Sequence, residues 1–285
     1  MGVLNVTPDS FSDGGEFLDA EKAIERAIQM VEEGADIIDI GGESSRPGAD
    51  PVSESEELRR VLPVITALKD VINVPLSIDT FKASVAEKAL DAGVQMINDI
   101  SGLRGDGDMA KLAAERKVYT IIMHMKGTPK TMQANPSYDN LMIELVQYFE
   151  ERIAFAFSAG ITREKIILDP GIGFGKRVED NFVILNELQT LVDLGYPVLV
   201  GPSRKSFIGL TLDLPENDRL EGTSATITAA VLNGAKIVRV HDAVILICEK
   251  EYQKLIAAKP GFKEILFKGP GLEGIDLSRD QSPMR

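Results

Sequence analysis

The stretch SAGITREKIILDPGIGFGK, residues 158–176, contains one complete unit of the pattern that decides the fold. A helical segment ends at Gly160, an aliphatic run follows over 165–171, and the run ends in a glycine-rich loop. Glycine is common at the C-terminus of a helix because it accepts the left-handed backbone conformation. The stretch therefore predicts a helix, a short connection, a strand and a polar loop, in that order.

The glycine-rich end of this stretch does not match the two common phosphate-binding patterns. A P-loop ending at Lys176 would need glycine at position 170 and a hydroxyl residue at 177, but the chain has Pro170 and Arg177. The dinucleotide-binding pattern, begun at Gly171, needs a glycine where the chain has Lys176. We therefore interpret the loop as the exit of a strand, with the Lys176 side chain in solvent.

The same unit repeats along the chain. Eight short strand-like runs alternate with helical periodicities, over residues 2–6, 36–42, 75–80, 96–100, 119–125, 165–171, 197–203 and 236–242. Five helical segments end shortly before the next run, at Gly34, Gly93, Gly160, Gly195 and Gly234. Several connections that follow the runs are instead long and polar, over 7–20, 43–53 and 124–140.

This difference between the connections predicts the fold class. Long loops after the strands are typical of a (β/α)8 TIM barrel, an α/β fold whose active site lies at the carboxyl ends of its strands. An open doubly wound sheet is the alternative, but eight regular units favour a closed barrel. We expect one catalytic domain over residues 1–258 and a mobile tail over 259–285, where no periodicity is sustained.

The composition excludes several classes of function. The 285-residue chain has a formal net charge of −13, which argues against a nucleic-acid or anionic-membrane partner. It contains one cysteine, Cys248, so no disulfide framework can form within it. We find no apolar run of membrane-spanning length and no signal peptide. We therefore expect a soluble, cytoplasmic protein.

Polar side chains collect at the carboxyl ends of the predicted strands, where a TIM barrel has its active site. Unpaired polar groups are costly inside an aliphatic barrel, so this concentration indicates a function. Because side chains alternate along a strand, Arg239 and His241 should point in the same direction. The polar residues at these ends are Asn5, Asp39, Asp79, Asn98, His124, Asp169, Ser203, Arg204, Lys205, Arg239 and His241.

Two kinds of polar side chain in this set predict two kinds of ligand group. Carboxylates and an amide can bind a flat heterocycle that carries an amine and ring N–H donors. The residues that could do so are Asp79, Asn98 and Asp169. An anion such as diphosphate needs positive charge instead, which could come from Lys205, Arg239 and His241.

Eight longer motifs carry a resemblance to a known family. They are MGVLNVTPDSFSDGG (1–15), DIGGESSRPGA (39–49), SIDT (77–80), MINDISG (96–102), MHMKGTP (123–129), LDPGIGFGK (168–176), GPSRKSFIG (201–209) and VRVHD (238–242). Together these motifs resemble the dihydropteroate synthase family. They are long and specific to that family, and the resemblance covers about residues 1–258.

The resemblance implies a transferase of folate biosynthesis with a (β/α)8 fold. The family joins 6-hydroxymethyl-7,8-dihydropterin diphosphate to 4-aminobenzoate and releases diphosphate and 7,8-dihydropteroate. Its members use Mg²⁺, are usually homodimers and are the target of sulfonamides. We therefore expect two small-molecule substrates, a bound Mg²⁺ and a second copy of the chain as partner.

The matched motifs also transfer the family's binding roles to this chain. The Mg²⁺ ligand would be Asn5, with Asp9 and Asp13 as further candidates. The pterin would bind to Asp79, Asn98, Asp169 and Lys205, with Met123 and Phe174 near its faces. The diphosphate would bind to Arg239, His241 and Ser45, a position where the family very often has threonine. The aminobenzoate would bind to Phe11, Arg46, Pro47 and Ser206.

The mechanism that we expect is dissociative. Departure of diphosphate leaves a cationic methylene group conjugated with the dihydropterin, and the arylamine then attacks this group. Catalysis would be electrostatic, with the leaving group stabilised by cations and the cationic pterin by carboxylates. The catalytic residues would be Lys205, Arg239, His241 and Asp79. The long loops over 7–20 and 43–53 would close over the site and exclude water.

Three other functions would use some of the same residues. A corrinoid-dependent methyltransferase acting on methyltetrahydrofolate would share the pterin contacts but would not need cations for a diphosphate. A Schiff-base aldolase could use Lys205, but its lysine would have to lie on a strand and face an apolar pocket. An inactive pterin-binding subunit is the third alternative, and the complete set of polar residues argues against it.

Overall fold

The computed structural model describes residues 1–7, 16–45 and 48–242, without the side chains of 16–19. The strands are β1 Gly2–Asn5, β2 Ile38–Gly41, β3 Leu76–Asp79, β4 Met96–Asp99, β5 Tyr119–Met123, β6 Ile166–Asp169, β7 Leu199–Val200 and β8 Ile237–Val238. The helices are α1 Glu16–Glu32, α2 Glu54–Leu68, α3 Ala83–Ala92, α4 Met109–Arg116, α5 Leu141–Ser158, α6 Val178–Asn186, α7 Gln189–Val192, α8 Ser206–Leu212 and α9 Leu220–Leu232. None of the helices in the described ranges combines the length and apolar character that a membrane span requires.

The eight strands are parallel and form a closed barrel, which confirms the predicted fold class. β1 to β6 pair in chain order, and β7 pairs with β8. The Leu168 amide donates to the Pro197 carbonyl at 2.9 Å and joins β6 to the segment of β7. The Val3 amide donates to the Val240 carbonyl at 2.9 Å and closes the ring between the first strand and the last. These residues therefore form a single (β/α)8 domain.

The strands are shorter than the runs that predicted them. The run over 165–171, for example, contains only the four residues of β6. Pro170 has no amide to donate to the sheet, and Gly171 then turns the chain with a φ of 66°. The five glycines predicted to end helices all have positive φ, between 79° and 118°, which confirms that prediction. The predicted tail over 259–285 and Cys248 lie outside the described residues.

Alternation along the strands sorts the apolar side chains into two layers. One set points outward and packs beneath the helices, and it includes Leu4, Ile38, Ile78, Ile122 and Leu168. The other set points inward and fills the barrel, and it comprises Met1, Met96, Ile121, Ile167 and Leu199, with Ile37 and Ile237 packed against them. The inner layer therefore forms an apolar floor inside the barrel.

The inward-pointing positions change from apolar to polar toward the carboxyl ends of the strands. Asn98 comes two residues after the inward-pointing Met96, and Asp169 comes two residues after Ile167. Because all strands run in the same direction and side chains repeat every two residues, these polar groups meet at one end of the barrel. The strands thus place an apolar floor under a polar mouth.

Candidate active site

The Arg239 guanidinium connects two buried carboxylates at the barrel mouth. Its Nε donates to Asp39 Oδ2 at 2.6 Å, and its Nη2 donates to Asp79 Oδ2 at 2.7 Å. Burial lowers the pKa of Arg239, but the charges of Asp39, Asp79 and Asp169 raise it above its ordinary value. Arg239 is therefore charged, and side chains from distant parts of the sequence converge around it.

Asp39 is absent from the binding residues that the resemblance implies, yet it orients two of them. Besides accepting from Arg239, its Oδ2 accepts from Asn98 Nδ2 at 2.9 Å. This bond fixes the orientation of the Asn98 amide and leaves Asn98 Oδ1 buried without a hydrogen-bond partner in the described part of the chain. A buried unpaired acceptor is costly, so Asn98 Oδ1 is available to a ligand N–H.

The two carboxylates predicted to contact the heterocycle are both buried. Burial raises the pKa of Asp79 to about 7, although the charge of Arg239 lowers it. Burial also raises the pKa of Asp169, against the opposing effects of the Gly171 amide and the charge of Lys205. The Gly171 amide donates to Asp169 Oδ1 at 2.7 Å. A buried carboxylate is stabilised by nearby positive charge, so both groups favour a cationic or N–H-rich ligand.

A cavity of about 490 Å³ opens beside this network. Seven of the predicted site residues line it, namely Asn5, Ser45, Phe174, Lys205, Ser206, Arg239 and His241. Four others are buried and are not part of its lining, namely Asp79, Asn98, Met123 and Asp169. Arg239 therefore extends from the cavity to the carboxylates behind its wall. Arg239 and His241 both face the cavity, as strand alternation predicts.

Lys205 covers an aromatic ring in the cavity wall. Its Nζ lies 3.9 Å from the centroid of the Phe174 ring, which is a cation–π contact. Phe174 in turn packs in a small apolar cluster with Ile100, Met123, Met125 and Met132. Lys205 is the N-cap residue of α8 and not part of a strand, and it follows Arg204, whose φ is 56°. This position does not meet the requirement for a Schiff-base aldolase.

His241 lines the cavity but is not the cation that the sequence predicts. Burial and the positive charges of Arg239 and Lys205 lower the pKa of His241 to about 3. Ser203 Oγ accepts from the His241 amide at 3.2 Å and lies 3.1 Å from His241 Nδ1. Ser203 can therefore donate to Nδ1 and leave the ring proton on Nε2. The neutral ring can offer an N–H group to an anion, but it supplies no charge.

Lys176 is buried, and the prediction that its side chain lies in solvent is wrong. The residue is 4% exposed, and its Nζ lies 3.0 Å from His124 Nδ1. Burial lowers the pKa of Lys176 to about 7 and that of His124 to about 2. His124 follows its strand as predicted, but its ring packs against Lys176 and does not line the cavity. The glycine-rich loop folds back over β5, which strand periodicity alone could not reveal.

Sequence reasoning placed Ser203 at a strand end but did not foresee that it orients His241. A signal for the role of Asp39 was present, because Asp39 has the same strand parity as the inward-pointing Ile37. In the sheet, Asp39 lies directly beside Ser77, two residues before Asp79. Asp39 was already among the predicted polar strand ends, and extending the alternation argument across neighbouring strands would have placed it beside the binding residues.

Five predicted site residues lie outside the described residues, namely Asp9, Phe11, Asp13, Arg46 and Pro47. Their roles stay predictions. Among the described residues, no group of three or more His, Cys, Asp or Glu side chains could hold a metal ion. In that part of the chain, a metal would depend on oxygen atoms such as that of the Asn5 amide and on groups that the ligand supplies.

Comparison with known proteins identifies the family. Residues 1–241 match the family model described as pterin binding enzyme. The chain belongs to this family. The chain is 51% identical over 252 residues to the dihydropteroate synthase of Synechocystis sp., and the match covers 87% of each protein.

Solved structures agree with this assignment. The pterin-binding enzyme has a TM-score of 0.84 and 48% identity to the dihydropteroate synthase of Clostridium difficile, whose structure was determined in the presence of pteroic acid. That match covers 90% of this chain and 95% of the other. For the Xanthomonas albilineans dihydropteroate synthase with 4-aminobenzoic acid, the TM-score is 0.85 at 43% identity, over 91% and 93% of the two chains. The enzyme class is therefore dihydropteroate synthase.

Proposed function

We propose that the barrel mouth of this enzyme joins 6-hydroxymethyl-7,8-dihydropterin diphosphate to 4-aminobenzoate. The enzyme is a transferase of folate biosynthesis, as its relatives are. One observation carries the assignment of the site. Buried carboxylates and an oriented amide lie on one side of Arg239, and a cavity lined by Lys205 and His241 lies on the other. The reaction needs both groups of residues side by side, because the enzyme must bind the pterin ring next to the place where the diphosphate leaves.

The pterin would bind behind the wall of the cavity. Its 2-amino group and N3–H are adjacent donors, and the Asp169 carboxylate can accept from both. Asn98 Oδ1, held in place by the bond from Asn98 Nδ2 to Asp39, can accept from a further ring N–H. Met123 and Phe174 would pack near the ring faces. Arg239 donates to Asp79 Oδ2, so a pterin that binds this carboxylate would share it with Arg239.

The diphosphate would bind in the cavity. Lys205 and Arg239 supply positive charge there, His241 offers the N–H of a neutral ring, and Ser45 offers a hydroxyl. These groups stabilise the charge that develops on the leaving group. The negative charges of Asp79 and Asp169 stabilise the pterin cation, which forms as the diphosphate leaves. The same network therefore assists both ends of the bond that breaks.

The proposed reaction has two steps. The carbon–oxygen bond to diphosphate breaks, and its electron pair leaves with the diphosphate. The nitrogen lone pair of 4-aminobenzoate then forms the new carbon–nitrogen bond, and the ammonium product loses one proton to solvent. The aminobenzoate would lie near Ser206, with Phe11, Arg46 and Pro47 completing its site. No described side chain is needed as a strong base, because the attacking amine is neutral.

We propose that a Mg²⁺ ion binds beside Asn5. Gly41, the last residue of β2, lies next to two oxygen atoms: a β-carbon there would lie 3.5 Å from Asp79 Cβ, 3.7 Å from Asn5 Oδ1 and 3.8 Å from Asp79 Oδ2. Mg²⁺ takes few protein oxygens and completes its shell with water and phosphate. Asn5 would hold the ion, with Asp9 and Asp13 as further ligands. The ion would neutralise part of the charge of the diphosphate.

We further propose that the enzyme is a homodimer in the cytoplasm. Helices α6, α8 and α9 expose large apolar side chains, namely Phe182, Leu210, Leu212, Leu220 and Leu232. Leu210 has the largest exposed fraction among them, at 71%. We call these residues the α8–α9 face and propose that a second copy of the chain covers them. The single cysteine agrees with a reducing compartment.

The assay for the function measures diphosphate release from the purified protein. We expect release of diphosphate and formation of dihydropteroate only when dihydropterin diphosphate, 4-aminobenzoate and Mg²⁺ are all present. Arg239→Gln should lower kcat/KM by about 100-fold or more, because it removes the positive charge that stabilises the departing diphosphate. Arg116→Gln, on the outer surface of α4, is the matched control and should leave the rate unchanged. A folded protein that forms no product would refute the proposal.

The same assay separates the alternative functions. A corrinoid-dependent methyltransferase would transfer a methyl group from methyltetrahydrofolate and would release no diphosphate. The cations Lys205 and Arg239 in the cavity disfavour that reaction, since it has no anionic leaving group of this kind. An inactive subunit would bind a pterin without turnover.

A further inference from the structure

Lys176 holds together two loops that follow neighbouring strands. Its amino group contacts three polar atoms, namely His124 Nδ1 at 3.0 Å, Phe174 O at 3.0 Å and His124 O at 3.4 Å. The two carbonyl oxygens accept from the amino group, and Nδ1 accepts in the His124 tautomer that carries its proton on Nε2. The side chain does not line the cavity, so Lys176 is not in a position to bind the substrate there. It instead connects the loop after β5 to the loop after β6.

Other contacts hold the same two loops in one position. The backbones approach so closely that a β-carbon at Gly171 would lie 2.0 Å from His124 O. On the outer side, the Tyr148 ring packs edge-on to the His124 ring with 4.7 Å between their centroids. The Tyr148 hydroxyl also donates to Met123 O at 2.8 Å. The loop after β5 is therefore held between Tyr148 on one side and Lys176 on the other.

Each of these loops carries one wall of the proposed pterin pocket. Met123 directly precedes His124, and Phe174 supplies one of the carbonyl groups that Lys176 bonds. The two side chains belong to one buried cluster, so a shift of either loop changes the space between them. A flat ring is held by walls on its faces, and its affinity depends on the distance between them. Lys176 acts on both walls at once.

We propose that Lys176 is a positioning residue that sets the separation of Met123 and Phe174, and through it the affinity of the enzyme for the pterin ring. This inference rests on the proposed function of the site, because it needs a pterin between these walls. Lys176 acts through His124 and the Phe174 main chain. Its effect should therefore be selective for the pterin substrate and should not extend to the aminobenzoate.

The substitution Lys176→Met tests this role, because it removes the hydrogen bonds and keeps an unbranched apolar stem. We expect the KM for dihydropterin diphosphate to rise about tenfold or more, the effect of losing a buried hydrogen bond. The KM for 4-aminobenzoate should stay within about twofold of the wild-type value. Lys165→Met is the matched control. It lies directly before β6, at the opposite end of the strand, and should change neither KM.

A purely structural role would give a different result. Lys176→Met would then lower the melting temperature or the active fraction and leave both KM values unchanged, which would overturn the proposal. If Lys176→Met does not fold, the double variant Lys176→Met/His124→Leu replaces both partners with apolar groups and leaves no unpaired acceptor on the ring. This variant should fold and still raise the pterin KM. An unchanged pterin KM would overturn the proposal here too.

Direct binding of 6-hydroxymethylpterin, followed by fluorescence titration, separates this inference from the proposed reaction. If the wild type binds the pterin but releases no diphosphate, the reaction is refuted, and the inference is judged by binding alone. Lys176→Met must then weaken pterin binding about tenfold, and equal affinities would overturn it. If the wild type does not bind the pterin, the pocket assignment fails and the inference fails with it.

Discussion

At the scale of single residues, the site depends on how a few buried polar atoms share their hydrogen bonds. Asp39 Oδ2 accepts from both Arg239 and Asn98, and it therefore holds a cation and an amide in fixed orientations. The Asp39 side chain is fully buried, and the charge of Arg239 compensates its own charge. Asp39 is thus a positioning residue for two groups that would contact the substrate.

The role of Asp39 predicts the effect of Asp39→Asn. The variant keeps the shape of the side chain but loses the charge that holds Arg239, so Arg239 should bind Asp79 more strongly. We expect kcat/KM for the pterin diphosphate to fall about 10- to 100-fold, the range for a hydrogen bond to a charged group. Asp36→Asn, on the exposed side of the barrel floor, is the matched control. Unchanged kinetics in Asp39→Asn would contradict this role.

The buried amine of Lys176 predicts a pH dependence of stability. Its pKa is lowered to about 7 in the folded chain, mainly by burial and also by Lys205, while Asp169 and Asp180 act in the opposite direction. Between about pH 7 and the ordinary lysine pKa of 10.5, the unfolded chain binds more protons than the folded chain. The free energy of unfolding should therefore rise with pH in this window, relative to a variant without the amine.

Urea unfolding of the wild type and Lys176→Met checks this expectation. The difference in unfolding free energy between the two proteins should shift in favour of the wild type from about pH 7 to about pH 9. Lys165→Met, the same substitution at the opposite end of β6, is measured alongside as the control. A constant difference for Lys176→Met would mean that the amine has an ordinary pKa.

At the scale of elements, the strands and the helix ends could be predicted, but the loops that follow the strands could not. Alternating side chains and C-terminal glycines are local features, and they correctly gave eight strands and five helix ends. The loop over 170–176 folds back over β5 through contacts between distant residues. Lys176 and His124 are 52 positions apart. For this reason, no local pattern placed the Lys176 side chain in the interior.

The close approach of these loops predicts that Gly171 cannot be replaced. Its φ is 66°, and a β-carbon would lie 2.0 Å from His124 O, which is main chain and cannot move independently. Gly171→Ala should lower the free energy of unfolding by about 2 kcal/mol or more and weaken pterin binding. Gly107→Ala is the control, since a β-carbon there meets no atom within 4 Å. Equal stability of the two variants, measured by urea unfolding, would refute the crowding argument.

At the scale of the whole molecule, the barrel separates opposite charges. The chain has a net charge of −13, yet its cavity presents Lys205 and Arg239 to an anionic substrate. A low-dielectric site strengthens these local charges, whereas salt and water screen the distant negative charges of the surface. Convergence of the strand ends is therefore what allows an acidic protein to bind a diphosphate.

The exposed leucines of the α8–α9 face predict the oligomeric state. Leu210→Glu places a charge on the most exposed leucine of the proposed contact and should convert a dimer into a monomer at micromolar concentration. Sedimentation equilibrium measures this change. Val71→Glu, at an equally apolar exposed position after α2, is the matched control and should leave the mass unchanged. A wild-type enzyme that sediments as a monomer would refute the proposed dimer.

The sequence alone determined the barrel class, the end of the barrel that carries the site, and the family. These follow from strand periodicity, helix-ending glycines and contiguous motifs, all of which depend on near neighbours in the chain. The tertiary structure alone decided that Asp39 orients Arg239 and Asn98, that His241 is neutral, and that Lys176 is buried. The physical reason is that burial and hydrogen bonding depend on groups far apart in sequence, and only closure of the barrel brings them together.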